Sequence, residues 1–435
     1  MKNTFYISCP IDTYSGYGAR SRDFVKSLIN LGKYDIKILP QRWGSTRKGF
    51  ISDHKDEWGF LTPYIVSSIH KKPDIWCQVT VPNEFQPVGK YNIGLTAGIE
   101  TTACAPQWIE GCNRMDLVLT SSNHSKKVFT STQYQVENKE NGTKTELKVT
   151  TPIEVLMEGA NLDIYKPIKE FTNKELLSTL DSIPENFTYL FVGHWLPGVL
   201  GQDRKNVGLL IKAFYEIYKN KGNAPALILK TSCAQSGHMD RREVLKRIHE
   251  IRKTVPAKKY PSIYLIHGDF SDQEMNELYN HPKVKAMISL TKGEGFGRPL
   301  LEFSLIGKPI IATGWSGHTD FLDPKLAAML GGKLTQLHPS AQVKDMLIEG
   351  SQWFDADHNQ IGHFINDVKK NYTTWKQKAK SLQKKNKTQF SFQAMGDQLN
   401  SFLEAYIPSL PVEQTFKMPL PKKIELPKLK KVQNG

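Results

Sequence analysis

The chain has 435 residues, of which 39% are hydrophobic and 23% charged, and it carries a formal net charge of +15. This length favours two or three domains, and the composition is that of an ordinary globular protein. No apolar run is long enough to span a membrane, and the first residues, MKNTFYISCPIDT, lack the pattern of a secretory signal. Five cysteines without C-x-x-C spacing argue against a zinc knuckle and a disulfide framework. We therefore expect a cytoplasmic protein.

Strand-like runs occur in two successive sets, with helical patterns between them. The first set begins at residues 4, 34, 75, 92, 117 and 153, and the second at residues 188, 226, 263, 285 and 309. Strands that alternate with helices form parallel sheets covered by helices on both faces. The sequence therefore predicts an α/β fold with two doubly wound, Rossmann-like domains.

Domain limits follow from the segments that interrupt this rhythm. The polar, proline-bearing PENFT at 184–188 separates the two sets, so we predict an N-terminal domain at 1–184 and a second domain at 185–388. Residues 132–150 place Asn141-Gly142 between alternating residues, which predicts a hairpin insertion in the first domain.

A glycine turn follows the first predicted strand. Gly16, Tyr17 and Gly18 precede a helix that we expect to start near Arg20. Ligands of open parallel sheets bind beyond the carboxyl ends of the strands, and free amides at a helix start accept phosphate. A purely structural turn is the alternative, because G-x-G is a weak motif on its own.

Two cations, Arg204 and Lys205, stand at the predicted start of the helix after the strand at 188. Positive charge at this end opposes the helix dipole, which is tolerable if an anion comes between them. A surface position without any ligand is the alternative.

The segment KGEGFGRPLLEF, residues 292–303, holds Glu294 and Glu302 eight positions apart at a strand-to-helix turn. Gly295 and Gly297 permit a tight turn and a close backbone approach. The amides at the helix start form a second anion site, most often used for phosphate. The glutamate spacing is a weak motif without this context.

Part of the positive charge lies in residues 369–387, KKNYTTWKQKAKSLQKKNK, and part in the proline- and lysine-rich tail at 408–435. We expect no fixed fold in the tail. A solvated helix face followed by a disordered tail explains both runs without a partner. The alternative is a peripheral contact of both segments with an anionic membrane surface, with nucleic acid as the less favoured polyanion.

Seven segments, taken in order, resemble a retaining, nucleotide-sugar-dependent glycosyltransferase of family 4 with the GT-B fold. They are SGYGARSRDF, GIETTACAPQWIEGCNRMD, SSNHSKKVF, PIEVLMEGANLDIYKP, RKNVGLLIKAF, IHGDFSDQEMNELY and KGEGFGRPLLEFSLIGKPIIATGWSG. The resemblance covers most of residues 6–406 and is strongest at 292–317. It implies two domains that face a central cleft, and a terminal helix at 389–407 that crosses back onto the first domain.

The resemblance also implies roles for the glycine turns and the cations. A nucleoside diphosphate would lie between the domains, neutralised by Arg204 and Lys205. Backbone donors would come from the two turns, at Gly16, Tyr17, Gly18, Gly295, Phe296, Gly297 and Arg298.

Acidic groups complete the implied site. Glu302 would accept hydrogen bonds from the ribose hydroxyls, and Glu294 would orient the transferred sugar and stabilise positive charge at its anomeric carbon. Helix N-terminal charge complementarity explains Glu302 without a ligand but leaves Glu294 without a reason. Glu100, beside Thr101, is the nearest match to the group that relatives present to the sugar from the first domain.

Three positions depart from the pattern or need an alternative. His194 stands where many relatives have arginine, so the two-cation clamp is either remade by Arg204 and Lys205 or weakened. His124 is interpreted as a loop histidine rather than a base. The D-x-D at 355–357 is a metal signature in another class of glycosyltransferase, but we place it at the start of a late helix. With cations available for the diphosphate, we expect no metal and no cofactor besides the sugar donor.

The implied reaction is transfer of a sugar from a nucleoside diphosphate to a glycan, lipid-linked or other acceptor, with retained anomeric configuration. Glycosylation of a modified DNA base, a non-catalytic protein that binds sugar nucleotides or polyanions, and an epimerase on this fold are the alternatives. The sequence does not identify the sugar, the nucleotide or the acceptor.

Overall fold

A computed structural model describes residues 2–137, 144–233 and 237–410. The first eight strands are β1 (Thr4–Cys9), β2 (Asp35–Pro40), β3 (Ile75–Val79), β4 (Tyr91–Leu95), β5 (Leu117–Thr120), β6 (Gln133–Glu137), β7 (Lys144–Lys148) and β8 (Ile153–Val155). Six of them form a parallel sheet in the order β2-β1-β3-β4-β5-β8. Strands β6 and β7 form a separate antiparallel pair, as the predicted hairpin requires, while its predicted turn at Asn141-Gly142 lies outside the described residues.

A second parallel sheet contains β9 (Thr188–Val192), β10 (Ala226–Lys230), β11 (Ile263–Ile266), β12 (Val284–Ser289), β13 (Ile310–Thr313) and β14 (Ala328–Leu330). Its order is β11-β10-β9-β12-β13-β14. Strands β15 (Gly332–Gln336) and β16 (Gln352–Ala356) form an antiparallel pair after it. The two six-stranded parallel sheets confirm the predicted α/β class, and the last three strands were missed.

Helices cover both sheets. They are α1 (Gly16–Leu31), α2 (Phe50–Asp53), α3 (Lys55–Trp58), α4 (Pro106–Asn113), α5 (Asn123–Ser131), α6 (Lys174–Asp181), α7 (Val207–Tyr218), α8 (His238–Lys253), α9 (Asp272–Asn280), α10 (Arg298–Ser304), α11 (His358–Lys370), α12 (Tyr372–Gln389) and α13 (Phe392–Tyr406). None of the helices in these described ranges combines the length and the apolar character needed to cross a bilayer.

Strand periodicity divides the core of the first sheet into two layers. Phe5 and Ile7 on β1 pack on one face of the sheet, and Tyr6 between them packs on the other. The same alternation separates Leu117 from Val118 on β5. Successive side chains of a strand point to opposite faces, so a strand covered on both sides is apolar throughout.

The last described helix joins the first sheet although it follows the second. Met395, Leu399 and Leu403 on α13 are buried in the same core cluster as Phe24 and Leu28 of α1. The preceding helix, α12, instead buries Leu382 in the core of the second sheet. The chain therefore connects the two halves of the fold twice, before β9 and again between α12 and α13. The predicted limits at 184 and 388 remain predictions.

One local expectation is wrong and another is only partly right. Helix α1 begins at Gly16 rather than near Arg20, because Ser15 caps it with a hydrogen bond from the Gly18 amide to the Ser15 hydroxyl (2.9 Å). The D-x-D spans a strand end and a helix start: Asp355 lies in β16, and α11 begins at His358. Asp357 is the N-cap of α11, and its carboxylate accepts from the Asn359 amide.

Candidate functional site

The carboxyl ends of the two sheets meet at a cavity of about 450 Å³. This volume is in the usual range for small-molecule sites. Its lining combines residues that follow β1, β2, β4 and β8 with residues that follow β9 and β12: Gly16, Tyr17, Trp43, Ala97, Glu100, Glu158, Leu196, Pro197, Arg204, Glu294, Gly295, Phe296, Gly297 and Arg298, together with Ala341, Gln342, Val343, Met346 and Leu347. Both predicted glycine turns therefore border one crevice.

Two glycines let the halves touch through their backbones. A Cβ on Gly293 would overlap the carbonyl oxygen of Glu100, and a Cβ on Gly295 would overlap that of Ala97. Only glycine can occupy either position without moving the two loops apart. Gly297 has a different reason to be glycine, since its φ of +99° lies in the left-handed region. The predicted tight turn is thus at Gly297, and the close approach is at Gly295.

Backbone amides at both turns are available to a ligand. Within the described residues, the amides of Gly16, Tyr17, Phe296 and Gly297 donate no hydrogen bond. Orphan amides at a helix start attract anions. Gly18 does not fit its predicted role: it lies outside the cavity lining, its amide donates to Ser15, and a Cβ there would overlap the Thr13 carbonyl oxygen.

The two predicted cations hold the first of the paired glutamates. The Lys205 Nζ lies 2.5 and 2.7 Å from the two carboxylate oxygens of Glu294, and an Arg204 Nη lies 3.4 Å from one of them. The same Nη lies 3.5 Å from Glu100 and donates to the Gly293 carbonyl oxygen at 2.9 Å. Lys205 does not line the cavity itself and reaches it only through Glu294.

Burial and neighbouring charges shift the pKa values of this cluster in opposite directions. Burial alone would raise the pKa of Glu294, but Lys205 and Arg204 outweigh it and lower the pKa to about 2. Burial lowers the pKa of Lys205, against the attraction of Glu294. Glu294 is therefore a carboxylate at neutral pH, and it neutralises cations that would otherwise lie buried and unpaired.

A second charged cluster crosses between the halves at Arg298. Its guanidinium lies 2.5 Å from Asp23 of α1 and 3.7 Å from Glu158, and its Nε lies 2.8 Å from Glu302. Burial would lower the pKa of Arg298, but the surrounding carboxylates raise it well above its usual value. This one arginine links the predicted donor loop to two acidic residues of the first half.

Glu302 is enclosed in this cluster. It lies outside the cavity lining and is 5% exposed, and its second oxygen is 3.4 Å from the Tyr279 hydroxyl. Burial raises its pKa to about 7 despite the attraction of Arg298. To accept bonds from a ribose, this carboxylate must exchange its bond to Arg298 for the hydroxyls.

Several lining residues were not predicted. Trp43 stacks on Tyr17, with ring centroids 3.8 Å apart and 22° between the planes. Glu158 follows the last strand of the first sheet and is buried, and burial raises its pKa. Its place after a strand of the first sheet is a signal that could have found it. No comparable signal points to the loop at 341–347.

The remaining sequence candidates have structural partners. His194 lies 3.0 Å from the Ser232 hydroxyl, and its pKa is lowered by burial and then by Lys205. His124 is not in a loop but in the first turn of α5, where burial lowers its pKa to about 4. Of the D-x-D, Asp355 pairs with the buried Lys292 and accepts from the Thr335 hydroxyl. These contacts account for the D-x-D as a structural element.

No protein-family model and no curated protein matches this chain. Several solved structures match the chain in fold. HepE of Anabaena, in complex with UDP and glucose, superposes with a TM-score of 0.54 at 13% identity, over 93% of this chain and 100% of that one. Sucrose-phosphate synthase of Thermosynechococcus elongatus gives a TM-score of 0.60 at 11% identity, over 93% and 99%.

A glycosyltransferase of Rickettsia africae gives a TM-score of 0.57 at 14% identity, over 94% of this chain and 100% of that one. At identities this low, the structural superpositions establish the fold and leave the activity open. The matches span nearly all of each neighbour, so both sheets are included in the likeness. The chain accordingly has the GT-B fold, with two Rossmann-like parallel sheets that face one cleft.

Proposed function

We propose that the protein is a glycosyltransferase that moves a sugar from a nucleoside diphosphate to an acceptor hydroxyl, with retention of anomeric configuration and without a metal. One observation carries the proposal: two helix starts with free amides and Arg204 converge on a single cavity between the halves, with Lys205 directly behind Glu294. That combination suits a diphosphate, which carries several charges and many acceptor oxygens.

The chemistry asks for stabilisation of the departing diphosphate. Arg204 and Lys205 supply positive charge where negative charge develops, and the amides of the glycine turns supply fixed donors that need no rearrangement. Glu294, once released from the cations by the diphosphate, is beside the transferred sugar and stabilises positive charge at the anomeric carbon. Glu100 faces the same cavity from the first half. The contact between the halves keeps water from the donor.

The choice of UDP as the first nucleotide to test comes from the neighbours. HepE of Anabaena was solved with UDP and with UDP-glucose. We expect UDP-glucose to raise the melting temperature of the full chain, since a ligand at about 100 times its Kd stabilises by about 2.7 kcal/mol. Thermal shift with a panel of nucleotide sugars measures this.

Two variants that each remove one lysine, a test and its matched control, check whether the shift comes from the proposed donor site. Lys205→Ala removes a proposed phosphate contact and should abolish the shift, whereas Lys253→Ala removes an exposed lysine of α8 and should keep it. If no nucleotide sugar stabilises the wild type, the donor site is wrong. Release of UDP and transfer of sugar then distinguish a transferase from a protein that only binds the nucleotide. Free altered sugar without an acceptor would indicate the epimerase.

Replacing Glu294 by glutamine separates binding from turnover. We expect kcat to fall about 100- to 1000-fold, because a charge that acts in the transition state is lost. Affinity for UDP should hold or increase, since the diphosphate no longer competes with a carboxylate for Lys205. Steady-state kinetics and calorimetric titration with UDP measure the two effects. A variant that loses UDP affinity while keeping kcat would contradict this role.

Replacing Glu302 tests the ribose contact. Glu302→Ala should raise the Kd of UDP about tenfold, the effect of about 1.4 kcal/mol of lost hydrogen bonding. The pKa of Glu302 is raised to about 7, so its carboxylate forms between pH 6 and pH 8 and then accepts stronger hydrogen bonds.

Over that pH range, UDP affinity of the wild type should therefore increase relative to Glu302→Gln, and the comparison cancels the titration of UDP itself. Equal affinities in wild type, alanine and glutamine variants at both pH values would remove the ribose role from Glu302.

We also propose a peripheral contact between α12 and anionic membranes. The helix carries six lysines and no acidic residue, and Lys376, Lys380 and Lys384 are exposed at intervals of four. Lysines with this spacing share one face of a helix. Each contributes about 1 kcal/mol of attraction to an anionic surface. Of the tail at 408–435, the structure describes only residues 408–410.

A sedimentation assay with vesicles of phosphatidylserine and phosphatidylcholine tests this contact. Changing the three lysines to glutamine should reduce binding by more than tenfold, with no binding to vesicles of phosphatidylcholine alone. The control changes Arg241, Arg242 and Lys246 of α8 to glutamine, which removes the same charge from another surface. Equal losses in both triple variants would mean that only net charge matters. Binding of DNA but not vesicles would favour nucleic acid.

A further inference from the structure

The candidate cavity has a lining that is divided between charged and apolar residues. Its charged residues come from the loops that hold the proposed donor: Glu100, Glu158, Arg204, Glu294 and Arg298. Its apolar residues include Leu196 and Pro197 from an earlier part of the loop that holds Arg204, several residues of the loop at 341–347, and Trp43 of the first half. The sugar and the diphosphate are polar along their whole length, and the nucleobase is the only flat, weakly polar part of the donor. The loop at 341–347 has no role in the reaction as described so far.

Two exposed apolar side chains stand at the mouth of the cavity. Val343 and Met346 line it and are nevertheless 42% and 41% exposed. Val199 and Leu200, also exposed, belong to a neighbouring pocket against α7 and α8 and do not line the cavity. The amide of Val199 donates to the Ser340 hydroxyl at 3.2 Å, so the loop after β9 and the loop at 341–347 are joined. We call the side chains of Val343 and Met346 the apolar rim.

The rim is not a by-product of how its loop folds. Ala341 and Leu347 anchor the loop, because they are packed with Trp353 and Trp315. The loop closes on itself through hydrogen bonds between Val343 and Leu347. Val343 and Met346 are not part of that cluster, and their exposure leaves them little to gain from being apolar. Among the described residues, ten large hydrophobic side chains are exposed, and these two stand together at the edge of a cavity. Exposed apolar side chains that continue the wall of a cavity are typical of a ligand-binding groove.

We propose that the acceptor is an amphiphile, with a hydroxyl-bearing polar group in the cavity and an alkyl chain on the apolar rim. This inference rests on the proposed function and adds the class of acceptor to it. The stacked rings of Tyr17 and Trp43 form a flat wall suited to a sugar ring or an alkyl chain. The rim continues the wall of the cavity, so we assign it to the acceptor substrate rather than to a separate protein partner.

The transfer balances without another reactant. The acceptor oxygen bonds to the anomeric carbon while the bond from that carbon to the diphosphate oxygen breaks. Its electron pair leaves with the nucleoside diphosphate, and the acceptor's hydroxyl proton goes to a phosphate oxygen. The alkyl chain takes no part in these steps and acts by holding the hydroxyl in place, so it should lower KM more than it raises kcat.

A series of alkyl β-glucosides with UDP-glucose as donor tests the proposal on the full chain. Methyl, hexyl and octyl glucosides present the same hydroxyls, and all are used below their micelle concentrations. Each methylene that becomes buried can contribute up to about fourfold. We expect kcat/KM to rise at least tenfold from methyl to octyl glucoside. In the double variant Val343→Ser/Met346→Ser, the ratio of octyl to methyl glucoside should fall towards one.

Met239→Ser is the matched control, because Met239 is 74% exposed on α8 and does not line the cavity. It should keep the wild-type ratio. A wild-type ratio near one, or the same ratio in the double variant as in wild type, overturns the proposal. Concentration-dependent dimers that the double variant abolishes, seen by analytical ultracentrifugation, would assign the rim to a second copy of the chain instead.

Two further measurements separate this inference from the proposed function. UDP binding and UDP-glucose hydrolysis without acceptor report on the donor site alone. If both are present and chain length has no effect, only the acceptor class is wrong. If both are absent, the proposed function fails, and direct titration of octyl glucoside against tryptophan fluorescence still decides about the rim. Binding that the double variant weakens at least fivefold supports an amphiphile site, and no binding to wild type overturns it.

Discussion

The two halves of this protein meet through backbone, at two glycines that leave no room for a side chain. Gly293 and Gly295 bring the loop after β12 against the carbonyl oxygens of the loop after β4. Every other feature of the cavity depends on this contact, because its walls belong to different sheets. The approach also brings Glu100 within 3.5 Å of Arg204 from the other half. The positions of the charged side chains in the cavity therefore depend on the close approach of the two main chains at these glycines.

Charge is shared across the same boundary. Arg298 binds Asp23 and Glu158 of the first half and Glu302 of its own helix, all of them shielded from water. Removing one partner of such a network leaves another group buried and uncompensated, which is why buried ion pairs specify geometry more reliably than they add stability. The packing of α13 on α1 ties the halves together at a separate place.

Eleven of the strands could be predicted because buried parallel strands are apolar throughout and helices separate them. The short β14, and the partly exposed β15 and β16, lack that signal. For the site, strand ends located the two glycine turns and both cations. The pairing of the charged groups could not be predicted: neither the contact of Glu294 with Lys205 nor that of Arg298 with Asp23. Those contacts depend on distances between residues far apart in the chain.

The pairing of Glu294 with two cations means that the resting site already contains its own anion. An incoming molecule has to displace a carboxylate that sits between Lys205 and Arg204. A singly charged ion such as chloride offers no more than the carboxylate does, and it lacks the tether that holds Glu294 in place. A diphosphate carries several negative charges on one backbone and can replace the carboxylate at both cations at once. Singly charged small anions are therefore disfavoured at this cluster.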